Sequence, residues 1–177
     1  MEKHKRIKRE LSFKGNIVDF YSDTIEIDNN KQVIFDYINH KGASAMVAVD
    51  SEGKILMVRQ YRNAIDNFTL EIPAGSKDPG EDNLTCAIRE CEEETGYKPQ
   101  DVKHLVDVHT TVAFSNELIR VYYSTNLVAS KQQLDEDEYI DIERHSLDDL
   151  VSMIFAGNIT DAKTIAALLA YKTKMNL

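Results

Sequence analysis

GSKDPGEDNLTCAIRECEEETGY, Gly75–Tyr97, is the stretch on which the reading of this chain turns. Asp82 can cap a helix start, because its side chain can accept from the free N–H groups of a first turn. Gly96 stands where a left-handed C-terminal cap belongs, and Pro99 bars continuation. The spacing predicts a helix over 82–95. At about 100° per residue, Leu84, Ala87, Ile88, Cys91 and Thr95 fall in one stripe, which is expected to face the core. Glu90 and Glu94 lie one turn apart beside that stripe, with Glu93 alongside. Glu92 falls on the far side and is expected in solvent. Like charges at this spacing destabilise a bare helix, and a divalent cation removes that cost. The side chains offer hard oxygens, with no Cys or His at matching spacing, which suits Mg²⁺ or Mn²⁺ rather than Zn²⁺. Such an ion polarises phosphoryl oxygens and acidifies a bound water. The chemistry to expect is hydrolysis of a phosphoanhydride. On the helix alone, a solvated acidic face is the commoner outcome for such a cluster.

The full spacing favours the metal. Gly75, five residues, Glu81, seven residues, Arg89–Glu90, then Glu93–Glu94 and Gly96 resembles the Nudix box at its fixed positions. Seven specified residues in one pattern arise by chance on the order of 10⁻⁸ per start site at average usage. Cys91 stands where that family usually has an aliphatic residue, and a buried Cys is an adequate small apolar substitute. The resemblance extends over roughly residues 14–172 and points to the ADP-ribose pyrophosphatase-like branch. It rests on Gln60–Tyr61–Arg62, Leu70–Gly75, Phe114–Glu117, Leu134–Glu138 and Asp161–Thr164.

The resemblance implies an α/β fold, the Nudix α/β/α sandwich with a mixed β-sheet and a small N-terminal β appendage. It implies a metal site built from Glu90 and Glu94, assisted by Glu81 and the Ala74 carbonyl, with Glu93 as a catalytic carboxylate. Arg89 becomes an orienting ion-pair partner, and Gly75 and Gly96 become structural. In similar proteins a mobile acidic loop supplies a catalytic carboxylate, for which Glu136 and Glu138 are the candidates here. Arg62 and Glu117 match substrate-holding positions, and a planar guanidinium such as that of Arg62 suits a phosphate. Phe20 or Phe35 could stack on a base, with core packing as the alternative for each. The implied reaction is Mg²⁺-dependent cleavage of ADP-ribose or a related nucleoside diphosphate sugar, giving AMP and ribose 5-phosphate from ADP-ribose. One departure bears on the substrate: where the branch shows Ser-Pro-Gly-Phe, this chain reads Thr111–Val112–Ala113–Phe114. GDP-mannose, another nucleoside diphosphate sugar or a dinucleoside polyphosphate therefore stays open as substrate. A non-catalytic nucleotide-binding module is a further alternative.

Around this segment the chain reads as an ordinary globular protein. Its 177 residues suit one domain or one domain with an appendage. We divide it into 1–40, a β appendage expected to serve dimerisation, and 41–177, the hydrolase domain. The net charge of −9 argues against a nucleic-acid partner and makes a bound cation useful to a phosphate-bearing substrate. Cys86 and Cys91, five residues apart on a helix, cannot bridge, which fits a reducing, cytoplasmic setting. No apolar run is long enough to span a membrane. The basic start, MEKHKRIKRELSF, reads as a solvated tail.

Residues 16–28 and 32–40 alternate and are joined by Asn29–Asn30, a hairpin signal. Residues 43–50 and 54–61 read as a second, more buried hairpin. Short strands are expected at 68–72, 102–110, 118–128 and 140–144, and helices at 147–155 and 160–174. This order suggests a mixed sheet with helices on both faces.

Overall fold

A computed structural model describes residues 4–134 and 139–177. The chain divides into two compact units. The first comprises the residues up to Gly42 together with His109–Leu118. Its core is an antiparallel sheet in the order β1 (Lys5–Lys14), β2 (Asp19–Ile27), β3 (Lys31–Asn39). The β2–β3 hairpin turns through Asp28–Asn30, with Asn30 at φ 60°.

β1 corrects the reading of the basic N-terminus as a solvated tail. Arg9 donates from Nε and Nη2 to the two carboxylate oxygens of Asp23, at 2.6 Å each, and lies 3.5 Å above the Tyr37 ring centroid. Irregular register at Arg6–Lys8 and Leu11–Phe13 interrupts the alternation by which a strand is recognised. The 109–118 segment joins this unit along β3, where the Ile38 N–H donates to the Phe114 carbonyl at 2.7 Å.

The second unit comprises Ala43–Val108 and Ile119–Leu177. Its strands are β4 (Ala43–Ala48), β5 (Ile55–Arg62), β6 (Asn67–Glu71), β7 (Ala74–Ser76), β8 (Tyr97–Gln100), β9 (Lys103–His109), β10 (Leu118–Ser124), β11 (Asn126–Ala129) and β12 (Ile140–His145). Its helices are α1 (Asn83–Thr95), α2 (Leu147–Phe155) and α3 (Ala162–Met175). A four-stranded mixed sheet runs β7-β4-β10-β9, with β4 and β10 parallel. A second sheet runs β12-β5-β6, and β8 pairs with β11.

Every residue of β4 is buried, as expected for a strand covered on both faces. Ala43, Ala45 and Val47 pack with Leu150, Ala167, Leu168 and Tyr171 from α2 and α3. Met46 and Ala48, on the other face, pack with Leu56 and with Ala87 and Cys91 of α1. The result is an α/β/α sandwich, the expected mixed α/β class.

The second predicted hairpin is corrected. Asp50 turns the chain tightly, its Oδ1 accepting from the Glu52 and Lys54 N–H groups at 2.9 Å each. Beyond one bridge, Val49–Ile55, the two strands diverge into different sheets. The reason is edge occupancy: β4 is already paired by β7 on one side and β10 on the other. The stripe read on α1 is also off at its start. Ala87, Cys91 and Thr95 are buried, but Cys86 takes the place of Leu84, which is 40% exposed. α1 packs on β7 as well as β4, and the Cys86 thiol faces the Gly75 carbonyl. Pro99 suggests only a helix stop, yet it lies in a strand, β8, whose one strand partner among the described residues is β11, a place that tolerates proline. Among the described residues no helix is long and apolar enough to cross a membrane.

Candidate active site

The site begins where β7 leaves the mixed sheet and the chain loops into α1. Asp82 caps the helix, its Oδ1 accepting from Leu84 N at 2.9 Å and Thr85 N at 3.1 Å. Gly96 ends it at φ 69°, returning its N–H to the Glu92 carbonyl at 2.9 Å. These two caps fix which side chains of α1 face the β7 loop.

Arg89 gathers them. Its Nε and Nη2 donate to the two oxygens of Glu81 at 2.9 Å each. Its Nη1 lies 2.9 Å from both Glu90 Oε1 and Glu93 Oε2. A further bond, Nη2 to the Ser76 carbonyl at 3.1 Å, ties the helix to the loop. The Arg89 guanidinium holds the Glu81 carboxyl down at about 2, helped by the Asp78 N–H. Glu81 in turn holds Arg89 protonated against burial, with Glu90 and Glu93 adding to the effect. Glu92 points elsewhere, to Ser130 Oγ at 2.6 Å and Lys98 at 3.0 Å, so it is paired rather than freely solvated.

Gly75 and Glu90 are closely apposed. A Cβ at position 75 would lie 2.0 Å from Glu90 Cδ, so only glycine leaves that carboxylate its place. Glu94 is buried, and its Oε2 accepts from Ala74 N at 3.0 Å. Glu81, Glu90, Glu93, Glu94 and the Ala74 backbone are thus brought together at one end of β7. Among the described residues no three His, Cys, Asp or Glu side chains form a ready cation cage. Mg²⁺ does not require one, since it keeps several waters and commonly takes one or two carboxylates plus substrate phosphates. The donor chemistry and the Gly75 cradle fit such an ion.

The cysteines take no part. Burial pushes the Cys86 thiol up to about 11 and Cys91 to about 12, so both stay protonated at neutral pH.

A second cluster adjoins Ala74. Glu71, the last residue of β6, is 1% exposed. Arg62 forks onto it, Nε to Oε1 and Nη2 to Oε2 at 2.7 Å each, and Lys163 donates to Oε2 as well. Burial drives the Glu71 carboxyl up, but the two cations outweigh it and hold it at about 2. Glu71 likewise keeps Arg62 protonated, with Asp161 and Glu94 contributing. The sequence reading proposed Arg62 for a phosphate but assigned nothing to Glu71 or Lys163. The signal in the sequence is that both lie in stretches that carry the family resemblance, Leu70–Gly75 and Asp161–Thr164.

Glu117, Phe20 and Phe35 belong to the first unit. Glu117 accepts from Thr110 Oγ1 at 2.6 Å. Phe20 is half-buried, and Phe35 is 49% exposed. Glu136 and Glu138 fall outside the described residues. The segment before them is anchored on α1: Ser130 N donates to Gly96 O at 2.7 Å, Gln133 N to Glu93 O at 2.9 Å, and Gln132 Nε2 to Glu94 O at 2.8 Å. Carbonyls that a helix C-terminus leaves unpaired are thus satisfied by this strap.

The NUDIX domain profile matches residues 39–168. The chain belongs to the Nudix hydrolase family. This Nudix hydrolase is 35% identical over 166 residues to an ADP-ribose pyrophosphatase of Bacillus subtilis, covering 93% of this chain and 90% of that one. It is 37% identical to a methanol dehydrogenase activator of Bacillus methanolicus over the same shares of each chain. These relatives place it on the ADP-ribose pyrophosphatase-like branch. A crystal structure of an ADP compounds hydrolase superposes at a TM-score of 0.87 over 99% of this chain and 96% of the other, at 18% identity. That likeness shows the fold.

Proposed function

We propose that this hydrolase cleaves the pyrophosphate of ADP-ribose or a closely related nucleoside diphosphate sugar, giving AMP and ribose 5-phosphate from ADP-ribose. The observation that carries the reading is the gathering of Glu81, Glu90 and Glu93 on Arg89, with Glu90 against Gly75 and Glu94 on the Ala74 N–H of β7. Glu90 and Glu94, assisted by Glu81 and the Ala74 carbonyl, would hold Mg²⁺, with Mn²⁺ as a substitute. When bound, the ion neutralises phosphate charge and lowers the pKa of a water.

The protein's own residues do the rest. Arg89 keeps Glu81 ionised and holds Glu81, Glu90 and Glu93 around one guanidinium. Glu93, the most exposed of the box carboxylates on Arg89 at 36%, would orient the attacking water. Glu136 or Glu138 would act as the base that takes its proton. Arg62 and Glu117 would hold the substrate, and Phe20 or Phe35 would stack on the base. We further assign 1–40 to dimerisation: β1 and β3 expose Ile7, Leu11, Phe13, Ile34 and Phe35. The partners are then a small-molecule substrate and a second copy of the chain, in a cytoplasmic setting.

The reading is tested with ADP-ribose, GDP-mannose and a dinucleoside polyphosphate, each with Mg²⁺, following nucleotide products. ADP-ribose is expected to give the highest kcat/KM. A tenfold preference for either of the others would overturn the substrate assignment. No hydrolysis of any of them would favour a nucleotide-binding module.

A further inference from the structure

The Glu71–Ala74 segment joins β6 to β7 and is held at each of its residues. The Glu71 carboxylate takes Arg62 and Lys163. Ile72 N donates to Thr164 Oγ1 at 3.1 Å. The Pro73 carbonyl accepts from Met46 N of β4 at 3.0 Å. Ala74 N donates to Glu94 Oε2 at 3.0 Å. Two helices on opposite faces of the sandwich therefore grip one short strap. α3 holds Glu71 and Ile72 through its first turn, and α1 holds Ala74 through Glu94.

The first turn of α3 is itself built for this. Asp161 caps the helix by accepting from Thr164 N at 2.9 Å, and the same Oδ2 accepts from Lys163 Nζ at 3.0 Å. Lys163 is 8% exposed at its side chain and spans two carboxylates, one on each element. Thr164 is fully buried. A lysine is rarely buried unless paired. Buried donors that are all satisfied leave a segment one arrangement rather than several.

We propose that Lys163 and Thr164 are positioning residues for the metal site. Acting through Glu71 and Ile72, they fix the Ala74 peptide, and through it Glu94. Neither touches the ion or the substrate in this assignment. The inference rests on the hydrolase reading above and deepens it.

The test is Mg²⁺-dependent thermal stabilisation without substrate, paired with steady-state kinetics across Mg²⁺ concentration, on Lys163→Met and Thr164→Val. Outer-shell partners of metal ligands typically contribute about 10–100-fold to metal affinity. Lys163→Met is expected to raise the half-saturating Mg²⁺ about tenfold in both measurements, and Thr164→Val by a smaller factor in the same direction. At saturating Mg²⁺ the nucleotide KM should stay within about twofold of wild type, because a positioning residue loses metal affinity rather than substrate binding. Lys172→Met, which lies on α3 like Lys163 and removes only a surface pair with Asp148 of α2, is the control and should match wild type. Thr164→Val keeps the experiment decisive if Lys163→Met does not fold.

An unshifted Mg²⁺ response in a folded Lys163→Met or Thr164→Val protein overturns the inference. So does a raised nucleotide KM with normal Mg²⁺ response, which would make Lys163 a substrate contact. If wild type itself shows no Mg²⁺ stabilisation and no Mg²⁺ dependence, the metal reading fails instead, and the two failures are distinct.

Discussion

Two charge clusters meet at Ala74, and they are built in opposite ways. Around Arg89, three carboxylates, Glu81, Glu90 and Glu93, lie within 2.9 Å of one guanidinium. Around Glu71, two cations, Arg62 and Lys163, are matched by two carboxylates, Glu71 and Asp161. The Arg89 cluster is partly open, with the Glu93 side chain 36% exposed. The Glu71 cluster is closed around its carboxylate and its lysine, at 2% for Glu71 and 8% for Lys163, and opens only on the Arg62 side, at 42%. A crowd of anions on one cation at the surface favours admitting a further cation. A balanced, buried group favours holding backbone in place. The same residue types thus serve chemistry in one case and geometry in the other, and ratio and exposure decide which.

The comparison breaks first in catalysis. Glu94→Gln and Glu93→Gln should each lower kcat by about 10²-fold or more, since charge aimed at a developing transition state is worth that much in a preorganised site. Glu94→Gln should also lose Mg²⁺-dependent stabilisation. Hydrolysis unchanged in both would remove the metal from the account.

The next largest effect belongs to stability. Glu71→Gln leaves Arg62 and Lys163 facing a neutral amide, and breaking a buried pair costs about 3–5 kcal/mol. Chemical denaturation should show this, with the loss exceeding that of Glu93→Gln by at least about 2 kcal/mol given the greater exposure of Glu93.

Gly75→Ala probes the close approach itself. The added Cβ would displace the Glu90 carboxylate, the far end of a flexible side chain, so the expected loss is chiefly in Mg²⁺ affinity, with a smaller change in stability. A neutral Gly75→Ala, in stability and in Mg²⁺ response, would show that the cradle is not used.

pH gives a gentler comparison. Glu71 and Glu81 are both held at about 2, below an unfolded value of 4.5. A depressed folded pKa contributes stability that is present above the unfolded value and lost as pH falls toward the folded one. Stability should therefore decline between about pH 4.5 and 2, and Glu71→Gln should flatten part of that decline. Cys91→Val should change least, within about 1 kcal/mol, because the site asks only for a small apolar side chain.

Much of this was legible in the sequence, for identifiable reasons. The box spacing gave the family, and Asp82 and Gly96 bounded α1 closely because caps are local. The helices at the C-terminus were legible from periodicity. β1 was not, because its register shifts break alternation and its charges imitate a tail. The separation of β4 from β5 was not legible either, since edge occupancy by β7 and β10 depends on partners far along the chain. The stretches that hold Glu71 and Lys163 were legible, but their meeting was not, for the same reason: Lys163 lies 92 residues from Glu71. The carboxylates around Arg89 are local in sequence, whereas the residues that hold the Glu71–Ala74 segment come from α3, on the opposite face of β4 from α1.

The most direct test of the central claim is hydrolysis of ADP-ribose by wild type and Glu94→Gln, with and without Mg²⁺, resolving AMP and ribose 5-phosphate. The account predicts both products from wild type only with Mg²⁺, and about 10²-fold less from Glu94→Gln. Equal product formation by the two proteins, or the same rate with the metal chelated, would contradict it.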